Sequence, residues 1–442
     1  MNKKLKLYFF LFLYIGLMIL PGLVILLFPM PEWRDFWREL SVILGFVGLA
    51  MAGVQFVPVS RLPFFADVVD LDRMYKAHHV LSVTAVFFVL LHPIILLLNN
   101  PNVLPLFNIF TAPWRAQAGW IGLIGLLLIA ITSVLRKMLK LDYTVWLLLH
   151  DIFTVFIAVF GLIHIFKVNH YTSTPAMTIA WILEIVIWVG LSLYIRLIKP
   201  LHLAKIPYKV HKVVTESIDT WSIYLKPDGH KGVPFRAGQV AWINAGKSPF
   251  VISRNPFSYS GSDKKKDMLR FSIKDLGNFT STVGDLKPGS RVYVDGPYGT
   301  FDLDDPVMQE GVVLLTGGIG TAPAMSILNS MADRGDKRPV YLIYGDYNKE
   351  RLLFTKELEG LKKKLNLEII YVLEKGADEP GFEKGYITKE LLETRLPKNK
   401  MSFYYFICGP LPMINAMEKH LRTLHDMGIS DHQIGSEKYD MA

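Results

Sequence analysis

Cysteine is nearly absent from this chain: Cys408 stands alone among 442 residues. A lone thiol excludes an internal disulfide framework, and with it the C-x-x-C-H attachment of a covalently tethered haem. Charge is scarce in the first 200 residues, where 15 Lys and Arg stand against 9 Asp and Glu. Apolar runs this long and this poor in charge exclude an ordinary soluble core and point to a lipid bilayer. The net charge of +9 gives no case for nucleic-acid binding, because six of the nine charges fall in that apolar part, where loop polarity accounts for them. A small-residue cleavage site is also missing. The start, MNKKLKLYFFLFLYIGLMIL, is basic like a signal peptide, but its apolar stretch runs on to Met30, so we read it as a retained membrane helix.

What is present is unevenly spread. Hydrophobic residues make up 51% of the chain and crowd into its first part, while the remainder reads as soluble α/β sequence. The length suits about three domains. Six apolar runs fit membrane spans near 7–29, 40–57, 77–98, 118–135, 144–166 and 177–198. With the N-terminus inside, eleven Lys and Arg flank the spans on the inner side and four on the outer. The positive-inside rule then puts the N-terminus and the soluble half in the cytoplasm of a multi-pass cell-membrane protein. A free thiol suits that compartment.

Two of the spans carry histidines at matched intervals. His78 and His92 lie fourteen residues apart in the third, and His150 and His164 lie fourteen apart in the fifth. Fourteen helical steps return to within roughly 40° of one face and rise about 21 Å, most of a hydrocarbon core. Both spans run from inside to outside, so His78 and His150 share an inner depth, and His92 and His164 an outer one. Imidazoles at membrane depth are costly, and four in register mark a functional site rather than packing. Two facing pairs can hold two bis-histidine b-type haems stacked across the bilayer, a closed ligation suited to electron transfer. His79 leaves a one-residue ambiguity at the inner site, and helix phase favours His78. The outer loop 31–39 reads as an interfacial aromatic belt, or alternatively as the rim of an acceptor pocket. Asp142 and Asp151, at the inner end of the fifth span, suggest no role.

From Lys205 short alternating strands with Gly and Pro turns suggest a six-stranded antiparallel barrel over 201–304. It contains Asn255-Pro256-Phe257-Ser258-Tyr259-Ser260, then Lys274-Asp275-Leu276-Gly277-Asn278-Phe279-Thr280, then Gly296-Pro297-Tyr298-Gly299. Over 305–442 a buried strand leads into Thr316-Gly317-Gly318-Ile319-Gly320-Thr321-Ala322-Pro323 and a helix, the arrangement of a phosphate cradle. A second strand ends at Asp346, and a third ends in Cys408-Gly409-Pro410.

In this order the motifs resemble the ferredoxin–NADP reductase superfamily. The resemblance implies an FAD barrel followed by an α/β NAD(P)H domain. Asn255, Pro256, Phe257 and Ser258 would meet the flavin, with Asn255 standing where the family carries Arg or His. Lys274, Gly277 and Thr280 would bind its pyrophosphate. Gly317, Gly318, Gly320 and Thr321 would cradle the nucleotide. Cys408, Gly409 and Pro410 would lie beside the nicotinamide, and Tyr439 would stack on the flavin and move aside for hydride transfer. Asp346 suits a ribose 2′-OH, which leans toward NADH over NADPH.

With the six-span module (1–200) placed ahead of these two domains, nearly the whole chain resembles the NADPH oxidase/ferric reductase superfamily. The implied activity is electron transfer from cytoplasmic NAD(P)H through FAD and two haems to an outer acceptor. Oxygen, giving superoxide, is favoured by the short outer loops. A ferric chelate at a mouth lined by Arg34, Arg38 and Arg115 is the alternative. A haem-free receptor or carrier with a flavoprotein-like domain is the competing reading from another class.

Overall fold

The computed structural model describes residues 3–62, 69, 71–246, 248–250, 256–277, 279–377, 380–417 and 429–438. Asn255, Asn278 and Tyr439, named above, lie outside the described residues. The chain divides into two compact units, Met1–Ile198 and Lys199–Ala442.

In the first unit, six helices are long and apolar enough to cross a membrane among the described residues. They are α1 (Lys3–Leu27), α2 (Phe36–Val54, continued by Phe56–Ser60), α3 (Leu71–Asn99), α4 (Trp114–Val134), α5 (Tyr143–Val168) and α6 (Pro175–Leu193). Their starts follow capping chemistry. The Asp35 carboxylate accepts the Arg38 N–H at 3.0 Å, and Asp142 accepts the Thr144 N–H at 2.8 Å. Asp142 is thus the N-cap of α5. Asp151 pairs with Arg196, which sits in a π-helical turn, Tyr194–Ile198, after α6.

Glycines decide how closely these helices approach, because lipid offers no hydrophobic drive and tight backbone contact must supply the association. A Cβ at Gly48 of α2 would sit 2.7 Å from Val89 Cγ2 of α3. One at Gly53 would sit 1.9 Å from the Trp188 indole of α6. The α2 backbone is therefore in direct contact with both neighbours. Phe46, Leu49, Leu126, Ile157 and Trp181 fill the space between α2, α4, α5 and α6.

The second unit starts with α7 (Lys199–Lys205) and holds two six-stranded sheets. The first is antiparallel, in the order β4-β3-β6-β1-β2-β5. Its members are β1 (Tyr208–Ser217), β2 (Thr220–Pro227), β3 (Val240–Ala245), β4 (Pro256–Ser258), β5 (Leu269–Lys274) and β6 (Arg291–Tyr298). A bridge from Tyr259, just past β4, to Phe271 of β5 joins the two edges and curls the sheet into a small barrel. Tyr208, Ile223, Leu225 and Phe271 fill it.

The second sheet is parallel throughout, in the order β10-β9-β8-β7-β11-β12. It comprises β7 (Val312–Gly317), β8 (Val340–Asp346), β9 (Leu367–Leu373), β10 (Phe382–Lys384), β11 (Tyr404–Gly409) and β12 (Ile434–Lys438). Separate apolar clusters cover its two faces, so VVLLTG and YYFICG are buried at every position. Helix α8 (Thr321–Arg334) follows β7. It is tied to the barrel side by Ser326 Oγ, which donates to the Gly261 carbonyl at 2.8 Å. Arg270 of β5 adds an ion pair to Glu357 at 2.8 Å.

The substitution Gly53→Ala drives a methyl into the Trp188 ring and costs about 1–3 kcal/mol of overpacking. Gly190→Ala, whose Cβ meets nothing within 4 Å, is close to neutral. Thermal unfolding of the two full-length variants in detergent separates them: equal midpoints would contradict this packing.

Candidate functional site

The membrane unit brings the four histidines together as two pairs. His78 on α3 faces His150 on α5, with ring centroids 6.3 Å apart, and His92 faces His164 at 6.2 Å. His79 is exposed, so at the inner depth His78 meets the partner helix. The fourteen-residue spacing separates the inner and outer pairs by about 21 Å along the helices.

The gap within each pair has a chemical size. An imidazole–metal bond is about 2 Å, and a ring nitrogen lies roughly 1.1 Å from its centroid, so two imidazoles trans on one metal place their centroids about 6 Å apart. Both observed separations match that value. Each pair is thus spaced so that one metal ion would fit between its two rings.

Hydrogen bonds set which nitrogen faces the gap. His164 Nδ1 donates to the Arg115 carbonyl on α4 at 2.7 Å, and His92 Nδ1 donates to the Ser41 carbonyl on α2 at 2.9 Å. A carbonyl only accepts, so the proton resides on Nδ1 and the Nε2 lone pair is left for a ligand. At the inner depth His150 Nδ1 lies 3.4 Å from Ser133 Oγ, which accepts the Trp146 indole N–H at 3.2 Å. His78 Nδ1 is buried without a hydrogen-bond partner among the described residues. Glycine makes room at the outer rings. A Cβ at Gly45 would lie 3.1 Å from His92 Nδ1, and one at Gly119 would lie 2.8 Å from His164 Nδ1.

Between the outer rings runs a cavity walled by Leu49, Pro93, Leu96, Phe107, Trp120 and Ile157. No Lys, Arg, Asp or Glu lines it among the described residues. Arg34, a sequence candidate for a charged mouth, is engaged elsewhere. Its Nε donates to buried Glu39 at 3.4 Å, one terminal nitrogen donates to the Tyr171 hydroxyl at 3.3 Å, and Tyr171 itself donates to Glu39. Trp33, Phe36 and Trp37 are exposed, as in an aromatic belt.

The second unit brings its glycine turn against its Cys-Gly-Pro turn. Gly318 has φ +53°, a left-handed conformation that glycine tolerates. A Cβ at Gly320 would fall 2.3 Å from the Cys408 carbonyl oxygen, so only glycine permits this approach. Thr321 Oγ1 donates inward to Thr316 Oγ1 at 3.1 Å. Cys408 is fully buried in the core with Leu314, Ala324 and Phe406, while Gly409 and Pro410 carry the chain out to the surface. Asp346 ends β8, where burial pushes its carboxyl above the usual range, against the Tyr347 N–H bond that lowers it. The Arg351 and Lys375 side chains stack over the neighbouring Tyr347 ring at 5.4 and 5.0 Å.

On the barrel, Pro256, Phe257 and Ser258 form β4, and Ser258 Oγ donates to Glu437 of β12 at 3.2 Å. The Lys274–Thr280 loop is internally braced. The Thr280 hydroxyl donates to the Gly277 carbonyl at 2.7 Å and accepts the Leu276 N–H at 2.8 Å, while Gly277 adopts φ +90°. That hydroxyl shapes the loop, and Lys274 Nζ lies 3.4 Å from Asp219.

Ser41, Gly45 and Gly119 are not singled out by the sequence, and Arg115 is named there for its side chain at an acceptor mouth, not for its carbonyl. The glycines of LGFVGLAMAG on α2 were the visible signal, since small residues recurring on one helix face announce a close partner. The carbonyl acceptors had no signal, because every residue has one.

Gly320→Ala forces the glycine turn off the Cys408 backbone, so the variant should unfold at lower denaturant and bind NAD(H) several-fold more weakly. Gly318→Ala strains φ without a clash and should do less. Denaturation of the full chain and nucleotide titration compare them; a milder Gly320→Ala would contradict the contact.

Residues 44–161 match the family described as "Ferric reductase like transmembrane component", and residues 314–419 match "Oxidoreductase NAD-binding domain". The chain is 32% identical over 196 residues to NADH-cytochrome b5 reductase 1 of Kluyveromyces lactis, covering 44% of this chain and 69% of that protein. It is 30% identical over 253 residues to the flavohemoprotein of Bacillus anthracis, covering 53% of this chain and 61% of that one. The chain thus spans about three fifths of that flavohemoprotein's length. Among solved structures, flavohemoglobin from Malassezia yamatoensis with bound FAD and heme superposes with TM-score 0.50 at 18% identity, covering 90% of this chain and 96% of that one, a likeness of fold. A ferric-reductase-type membrane component and a ferredoxin–NADP reductase-like module in one chain make this protein a member of the NADPH oxidase/ferric reductase superfamily, a multi-pass membrane oxidoreductase.

Proposed function

We propose that the protein carries electrons from cytoplasmic NAD(P)H across the membrane to oxygen on the outer side, releasing superoxide. The observation that carries this reading is the pair of equal ring separations, 6.3 and 6.2 Å, at two depths of one helix pair. His78 with His150, and His92 with His164, would each hold one b-type haem. FAD would bind in the barrel module, 201–304, and the nucleotide in 305–442. When bound, these groups supply the conversion of a hydride's electron pair into single-electron transfers.

The chain's own residues do the rest. Donation from Nδ1 of His92 and His164 to backbone carbonyls keeps their Nε2 atoms directed to the metal and raises their basicity. If His92 and His164 both ligate, neither side of the site is left to an acceptor, so reduction would occur at its edge. The cavity there is apolar, and Arg34 is neutralised by Glu39. Both features favour a small neutral acceptor over a charged ferric chelate, whose desolvation nothing at this wall offsets. On the cytoplasmic side we assign Pro256, Phe257, Ser258, Lys274, Gly277 and Thr280 to the flavin. Gly317, Gly318, Gly320 and Thr321 are assigned to the nucleotide phosphates. Asp346 is assigned to the ribose 2′-OH, which favours NADH. The buried Cys408 shapes the turn at Gly409 and Pro410, where the nicotinamide would lie. Asn255 and Tyr439 complete the flavin assignment as the resemblance implies.

A dithionite-minus-oxidised spectrum of purified protein should show two b-type haems per chain, falling to one in His164→Ala. Cytochrome c reduction by NADH should be largely abolished by superoxide dismutase. Dismutase-insensitive consumption of a ferric chelate would overturn the oxygen assignment. Because burial raises the Asp346 carboxyl, NADH affinity should weaken with acidification at a pH above the range of an exposed carboxylate. Asp346→Asn should flatten that dependence, which nucleotide titration between neutral and mildly acidic pH reads directly.

A further inference from the structure

Ser41 does more around His92 than a backbone carbonyl alone would do. Its hydroxyl donates to the His92 carbonyl at 2.8 Å, which uses its only proton. The same oxygen lies 3.0 Å from His92 Nδ1 and, having no proton left, accepts there. The Ser41 carbonyl accepts from Nδ1 as well, at 2.9 Å. The Nδ1 proton is thus shared between two acceptors of one residue. Ser41 itself is fully buried, so no water competes.

The position of this closed loop has a reason. Pro93 follows His92 inside α3 and has no N–H, so the Val89 carbonyl loses its helical donor and the helix is loosened beside the ligand. Ser41 holds that turn to α2 from outside, through the His92 carbonyl. At His164 on α5 no proline follows, and one carbonyl, that of Arg115, takes Nδ1.

We propose that Ser41 is a positioning residue for the outer site: it fixes the ring and the Nδ1 proton of His92 and lowers the reduction potential of the metal that His92 ligates. The proposal rests on the bis-histidine haem reading above. The physical step is short. An imidazole that donates from Nδ1 to good acceptors is a more basic ligand at Nε2, and a more basic ligand favours the ferric over the ferrous ion. Losing one hydrogen bond changes such an equilibrium severalfold.

The test is a potentiometric redox titration of full-length protein, with low-temperature EPR of the oxidised form. Ser41→Ala retains the carbonyl acceptor and removes the hydroxyl. It should keep two haems and shift one of the two components upward by about three- to tenfold in its ferric–ferrous equilibrium, roughly 30–60 mV for one electron. The low-spin EPR signal of that component should move with it. Ser133→Ala, beside His150, should act on the other component. If Ser41→Ala loses a haem, Ser41→Cys retains a weaker hydrogen-bonding group and carries the same comparison. Unmoved potentials with two haems bound, or equal shifts in both components, would overturn the role of Ser41. Wild-type protein without haem would instead overturn the reading beneath it.

Discussion

At the outer depth, where lipid offers no water, both imidazoles satisfy Nδ1 from protein. In a helical bundle the nearby acceptors are carbonyls already bonded to their own i+4 N–H groups. A second bond to such a carbonyl requires the ring to lie almost on the neighbouring backbone. Gly45 and Gly119 sit where that approach occurs, and the Ser41 and Arg115 carbonyls are the acceptors reached. The arrangement of α2 against α3, and of α4 against α5, follows from this requirement. The gap of about 6 Å between opposed rings is what remains once each ring is held back against its own neighbour.

The two depths differ in how firmly this is done. The outer rings have short bonds to backbone carbonyls, which are rigid. At the inner depth His150 Nδ1 lies 3.4 Å from a serine hydroxyl, and His78 Nδ1 is without a hydrogen-bond partner among the described residues. The same helices therefore surround the two pairs differently. Above the outer pair, Glu39, Arg34 and Tyr171 close on one another, and the outer cavity has apolar walls. Of the charge that the sequence distributes along this outer loop, Arg34 and Glu39 are paired with each other in the fold.

Close backbone approach also governs the second unit. There the glycines serve a turn rather than a helix face, and Gly320 lies against the Cys408 carbonyl. Two motifs ninety residues apart in sequence thereby become one surface. The cost is that Cys408 is sealed in the core, its contribution exerted through the backbone it fixes.

Much of this was legible beforehand, for identifiable reasons. Span number, parallel direction of the third and fifth spans, and the pairing of histidines by depth follow from hydropathy, loop charge and the 3.6-residue period. These are properties of a chain in a bilayer, whatever packs beside it. The alternation of short strands, then the buried strand leading into a glycine turn and a helix, likewise announced an antiparallel sheet and then an α/β domain. Helix phase favoured His78 over His79, and His78 is the one turned to His150. What could not be read were relations between backbones. That Ser41 reaches His92 and that Asp151 meets Arg196 depend on distances across elements, whereas Asp142 caps its own helix and Thr280 closes its own loop through local contacts. A residue type constrains its own torsions and polarity, whereas which carbonyl lies within 3 Å of it is settled only when helices and strands have packed.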